Sequence, residues 1–154
     1  MPNAIETRLA DLGLALPAAP APAANYVPWV ISGNQIFVSG QVSQANGAFL
    51  TGKLGADLST EQGAEAAKSC ALSLLAQARA ALDGDLGRLT RVVKLTGFVN
   101  CTADFTDQPK VINGASDLMV AVLGDAGRHA RSAVGAPSLP LGVAVEIEAI
   151  FEFA

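Results

Sequence analysis

Arg131-Ser132-Ala133-Val134, then Leu139-Pro140, then Val145-Glu146-Ile147-Glu148-Ala149-Ile150, decide how the rest of the chain is read. In the last run Val143, Val145, Ile147, Ala149, Phe151 and Phe153 alternate with Glu146, Glu148 and Glu152. That is the period of a strand, so one face is core and the other carries carboxylates. An arginine and a row of glutamates on strands otherwise built for burial are costly unless each meets a side chain, a water or a ligand. A guanidinium fork is shaped to take a carboxylate. The segment therefore predicts two strands, Ala130 to Ala136 and Val143 to Phe153, and candidate chemistry on both.

Upstream, Asp107 to Leu123 has Pro109 in a first turn and Val111, Ile112, Ala115, Leu118, Met119 and Val122 on one face, which predicts a helix closed by Gly124 and Gly127. Leu89 to Val99, rich in Val, Leu and Thr, predicts a strand. Ser59 with Gln62 makes a capping box, and Ala64, Ala67, Ala71, Leu74, Leu75, Ala78 and Leu82 then recur at helical spacing. Tyr26 to Ile31 and Gln35 to Gln41, separated by Ser32-Gly33-Asn34, predict a hairpin. Val42 to Leu58 is polar and turns at Asn46-Gly47. The order β-β-α-β-α-β-β implies an α+β fold, a mixed sheet with two helices on one face. Ahead of it Asn3 caps a short helix with Ile5, Leu9 and Leu12 on one side, ending at Gly13. Pro17, Pro20 and Pro22 make the following stretch a polyproline-like connector. Residues 1–25 are thus a helix and connector, and residues 26–154 a single domain.

The 154 residues are 51% apolar and only 16% charged, an excess of apolar surface that points to subunit contact. A net charge of -4 and a pI near 4.8 count against a nucleic-acid partner, which needs clustered Lys and Arg. The first residues carry both charge signs and lead to no apolar h-region, and no apolar run approaches the roughly 20 residues that span a bilayer. The expectation is a cytoplasmic protein without a membrane partner. Cys70 and Cys101 form no C-x-x-C pair and have no His cluster nearby, so they read as buried thiols, with no metal site. Gly135 to Gly142 lacks the Lys and spacing of a phosphate loop and reads as a bend.

Together the hairpin ending Val38-Ser39-Gly40-Gln41, the strand Val92-Val93-Lys94-Leu95-Thr96, Arg131-Ser132, Leu139-Pro140 and Val145 to Ile150 resemble the RidA family, also called the YjgF or L-PSP endoribonuclease family. The resemblance covers roughly residues 26–153. It implies a chorismate-mutase-like fold, a homotrimer with a central barrel, clefts between adjacent subunits and no cofactor. It implies hydrolysis of reactive 2-enamine and 2-imino acids of the 2-aminoacrylate type to 2-keto acids and ammonia. On that resemblance Arg131 anchors the substrate carboxylate, Glu146 holds the attacking water, and Tyr26, Ser39 and Asn113 line the same cleft. The chain departs from better-known members in its long N-terminal segment, in Ala133 where many have cysteine, in about three extra residues across Thr106 to Lys110, in His129 and in Pro137.

The residues alone leave Arg131 open between that role and an ion pair with Glu146 or Glu148 that ties two strands. Alternation cannot choose between Glu146 and Glu148; only the resemblance selects Glu146. Tyr26 equally suits a subunit contact, Ser39 a turn, and Asn113 a helix residue bonded to backbone. His129, the single histidine, reads as structural and stays outside the catalytic set. The alternative function is a non-catalytic trimeric module that binds small carboxylates such as keto acids. The endoribonuclease of the older family name lacks the basic, aromatic-studded surface it would need.

Overall fold

Asn3 opens the first helix, its Oδ1 accepting from Glu6 N at 3.0 Å, in the computed structural model of the protein, which describes residues 2–154. This helix, α1 (Ala4–Asp11), buries Ile5 and Leu9 and gives way at Leu12 to Gly13 in the left-handed region. The connector then runs to the first strands, β1 (Trp29–Ser32) and β2 (Gln35–Val42), which pair antiparallel. The predicted start at Tyr26 is not strand. Pro28 has no N–H for a ladder, and its carbonyl and that of Val27 are taken by Ser39 N and Ser39 Oγ.

Asn46-Gly47 is the turn of a small ribbon, β3 (Gln44–Ala45) with β4 (Ala48–Phe49), both turn residues having positive φ of 52° and 80°. That pair of left-handed residues is what a two-residue hairpin with right-handed twist requires. The capping box is formed in both directions, Ser59 Oγ accepting from Gln62 N at 3.1 Å and Gln62 Oε1 from Ser59 N at 2.9 Å. It starts α2 (Thr60–Ala81), which is followed by β5 (Leu89–Asn100), α3 (Gln108–Leu123), β6 (Ala130–Ala136) and β7 (Val145–Phe153). Val143 falls short of β7 and makes only an isolated bridge to Thr51.

The five-stranded sheet has the order β1-β2-β7-β5-β6. Every pair is antiparallel except β5 with β6, which α3 joins as a crossover, so the sheet is mixed. Helices α2 and α3 pack on one face, over a core that includes Ile36, Val38, Leu95, Ile147, Ala149 and Phe151, and α1 rests on α3. The fold is thus α+β with three helices, two of them covering one face of the sheet. Among the described residues no helix or second sheet covers the opposite face. Val30, Phe37 and Ile150 stand on it beside Glu146 and Glu148, with Val30 and Phe37 about half exposed. No helix among the described residues is long and apolar enough to cross a membrane.

Candidate active site

The strand β2 carries a bulge. Val38 faces Ala149 and Gln41 faces Ile147, so Ser39 and Gly40 together oppose Glu148. The extra residue reverses the facing of all that follows, putting Gln41 and Ser43 inside instead of Gly40 and Val42. It also sets the Gly40 backbone against the Glu146 side chain. A Cβ on Gly40 would stand 2.8 Å from Glu146 Oε1, so the carboxylate lies in space that only glycine leaves open.

Glu146 and Glu148 share a cavity of about 840 Å³ with Tyr26, Ser39, Gly40, Phe49 and Leu141, and the connector from Pro20 to Ala24 forms one wall. The wall is pinned from inside. Buried Gln77 on α2 donates through Nε2 to the Pro20 carbonyl at 2.6 Å and to Gln41 Oε1 at 3.3 Å. Glu146 is half buried, and its carboxyl is held above the ordinary range first by that burial and then by the charge of Glu148. Glu148 is exposed, so the two glutamates that the alternation could not separate differ in environment. Ser39 spends its hydroxyl hydrogen on the Val27 carbonyl at 2.8 Å, leaving its oxygen only lone pairs to offer. Tyr26 is exposed at the cavity rim.

Arg131 lies elsewhere. On the edge strand β6 it pairs with Leu95, which in turn pairs with Ala149; both are buried, so Arg131 leaves the sheet on the helix-covered side. Glu146 pairs with Phe98 and Val42 and leaves on the uncovered side. Two strand spacings and three residues separate their Cα atoms, on the order of 14 Å. The ion pair between them that the residues left open is not formed; the ion pairs among the described residues are Glu6–Arg79, Asp107–Lys110 and Asp125–Arg128. Instead Arg131 donates from Nη1 to Ser116 Oγ and from Nη2 to the Pro109 carbonyl, each at 3.1 Å. Two of its five N–H groups are engaged this way, and three remain for a ligand.

Asn113 is exposed on α3, four residues after Pro109 and three before Ser116, so it shares the helix stripe that holds Arg131, and it also borders a groove with Leu12, Leu14, Ala64, Lys68 and Lys110. One chain therefore gathers Tyr26, Ser39 and Glu146 on one side of the sheet, and places Arg131 on the other side, against the stripe of α3 that carries Asn113. Sequence reasoning missed Gly40 as the glycine that admits the carboxylate, and missed Ser116 and Pro109 as the holders of Arg131. Gly40 stood in the quoted motif, where a glycine inside a strand run is itself a signal of a bulge or a close approach; Ser116 is merely a polar residue beside an apolar helical face. Both cysteines are buried free thiols, and burial pushes the Cys70 thiol up, away from nucleophilic use. No three His, Cys, Asp or Glu among the described residues gather as metal ligands would.

An α+β chain with one helix-covered face and a half-buried carboxylate on the other belongs to a recognisable class. The family described as "YjgF/chorismate_mutase-like, putative endoribonuclease" matches residues 6–153, and the chain belongs to that family. The match begins inside α1 and takes in the connector. The chain is 52% identical to Protein TCP17 of Trypanosoma cruzi over 150 residues, which is 96% of this chain and 93% of that one. It is 50% identical to the Agrobacterium tumefaciens protein Atu1372, of unknown function, with a TM-score of 0.92 over 98% of this chain and 93% of the other. A Shewanella oneidensis protein bearing the same endoribonuclease name is 35% identical, with a TM-score of 0.94 over 98% and 100%.

Proposed function

We propose that the protein is a hydrolytic deaminase of reactive 2-enamine and 2-imino acids, working in clefts that two copies of the chain complete within a homotrimer. The observation that carries the reading is Glu146, a half-buried carboxylate with a raised pKa on the wall of a large cavity, engaged in no ion pair among the described residues. A carboxyl shifted toward neutrality is suited to take a proton from water. Arg131, with three N–H groups free, suits a carboxylate, and it stands on the sheet edge where a neighbour can reach it. The uncovered apolar face supports the assembly.

The chemistry needs little more. The 2-imino acid is held through its carboxylate by Arg131 of one copy, and Glu146 of the next aims a water at the C=N carbon. Water adds to the carbon and its proton passes by way of Glu146 to the nitrogen; in the resulting carbinolamine the hydroxyl proton passes by the same carboxylate to the amine, the C–N bond breaks and the carbonyl forms. One imine and one water become one 2-keto acid and one ammonia. Fixing the geometry contributes up to several kcal/mol of the barrier.

Two measurements test this. The pure protein should speed the decay of enzymatically generated 2-aminoacrylate, and Arg131→Ala and Glu146→Gln should each abolish that effect. Unfolding the two variants together and refolding them should then recover activity, because each mixed trimer contains one cleft with both native groups; random assembly gives about a quarter of the wild-type rate. No acceleration by wild type would overturn the deaminase, and no recovery would overturn the shared cleft. The second reading, a module that binds small carboxylates without turnover, is favoured by Ser39, whose only hydrogen is already spent on Val27. Binding of 2-ketobutyrate with no turnover of any imine would select it.

A further inference from the structure

His129 is the residue whose hydrogen bonds fix the direction of the bond between Arg131 and Ser116. Its Nδ1 lies 2.6 Å from the Gly127 carbonyl, which can only accept, so Nδ1 carries the hydrogen. In the neutral ring Nε2 is then the acceptor. It lies 2.9 Å from Ser116 Oγ, so Ser116 gives its single hydrogen to His129 and turns its lone pairs outward. One of those lone pairs receives Arg131 Nη1–H at 3.1 Å. The bonds run one way, from Arg131 to Ser116 to His129 to Gly127.

The far end of this chain is firm. Gly127 is buried, and a Cβ there would stand 2.2 Å from the Met119 carbonyl, so its backbone lies directly on α3. Ser116 and the Pro109 carbonyl are also on α3, while His129 and Arg131 leave the β6 segment two residues apart, on one side. The guanidinium is thus held at two nitrogens by one helix, and its plane is fixed before any ligand arrives.

We propose that His129 and Ser116 are positioning residues for Arg131, aligning its three remaining N–H groups with the carboxylate of a 2-imino or 2-keto acid. The inference rests on the reading of Arg131 as the carboxylate anchor. With the hydroxyl gone, Nη1 loses its fixed partner and the guanidinium turns about its long stem. With the imidazole gone, the Ser116 hydroxyl is free to rotate and point its hydrogen at Arg131.

The test is a binding and kinetic cycle on the full chain with 2-ketobutyrate as the probe. Ser116→Ala and His129→Leu should each weaken 2-ketobutyrate roughly tenfold, the loss of one oriented charge-assisted hydrogen bond. For imine hydrolysis they should raise KM more than they lower kcat. His129→Gln, whose amide oxygen can accept from Ser116, should restore most of the binding. In an Arg131→Ala background neither substitution should have a further effect. Equal losses with and without Arg131, or wild-type binding by folded Ser116→Ala, overturn this inference alone. Wild-type binding by Arg131→Ala overturns the anchor itself and this inference with it. Melting curves identify a variant that fails to fold, and His129→Gln with its predicted rescue then decides the question.

Discussion

Replacing Gly40 with alanine puts a methyl group where the Glu146 carboxylate now lies. The new Cβ would stand 2.8 Å from Oε1, 3.0 Å from Cδ and 3.1 Å from Cγ, all inside the 3.4 Å at which ordinary contact begins. Oε1 must withdraw by about 0.6 Å, and because three successive atoms are crowded the whole side chain turns, carrying its tip on the order of 1 Å. Misplacement on that scale costs on the order of 10²-fold in rate, about 2.7 kcal/mol of barrier. The fold should hardly notice. The Gly40 backbone is not in the left-handed region, the crowded atoms belong to a movable side chain, and alanine lowers the entropy of the unfolded chain by about 0.4–1 kcal/mol. Steady-state hydrolysis of 2-aminoacrylate, read beside thermal melts, separates the two effects. Turnover within twofold of wild type would refute the argument that the bulge places this carboxylate. So would a collapse of the melting temperature, which would mean that the methyl group is absorbed by the backbone.

Glu146→Gln should abolish turnover and raise stability at neutral pH. The native carboxyl is raised above its ordinary value of 4.5, so just above that pH the folded chain keeps a proton the unfolded chain has released, and stability falls as pH rises through the window. Melts across pH 4 to 8 should show the variant and wild type together at the acid end and diverging above it; parallel curves would count against the shift. Gln77→Ala should leave buried Gln41 Oε1 and the Pro20 carbonyl without their partner, at a cost of about 1–3 kcal/mol in urea unfolding, with faster hydrogen exchange along the connector. Ser59→Ala removes one arm of the capping box of α2 and should cost about 1 kcal/mol by the same measurement, with Ser59→Asp close to wild type.

What the sequence made legible was whatever short-range chemistry dictates. Ser59 and Gln62 bond within one turn of each other, Asn46-Gly47 meets the backbone demands of a two-residue turn, and β6 spans Ala130 to Ala136 as its composition predicts. The alternation in β7 correctly set three glutamates on one face, because the extra residues of the sheet fall in β2 and β5 and β7 itself runs without interruption. What stayed hidden depends on register between distant strands. The bulge at Ser39-Gly40 exists only relative to Glu148, more than a hundred residues away, and it alone carries Gln41 inside to meet Gln77. The side from which Arg131 departs is likewise fixed by its pairing with Leu95; the apolar pattern oriented α3 about its axis correctly, but not which strand edge would lie along the margin of that face where Ser116 and the Pro109 carbonyl meet Arg131.

The placement of β7 bears on how the molecule comes into being during synthesis. It is the central strand, bonded to β2 on one side and β5 on the other, yet every other element precedes it in the chain. Until it leaves the ribosome the nascent chain has a β1–β2 hairpin and a β5–β6 pair with nothing between them, and two-stranded pieces are at best marginal in water. Helices α2 and α3 meanwhile expose their apolar faces. A ribosome that stops short of Val145 releases two unjoined half-sheets with sticky inner edges, a substrate for chaperones and proteases instead of a weakened enzyme. Because Glu146 is the second residue of that strand, the carboxylate and the completed sheet arrive in a single event.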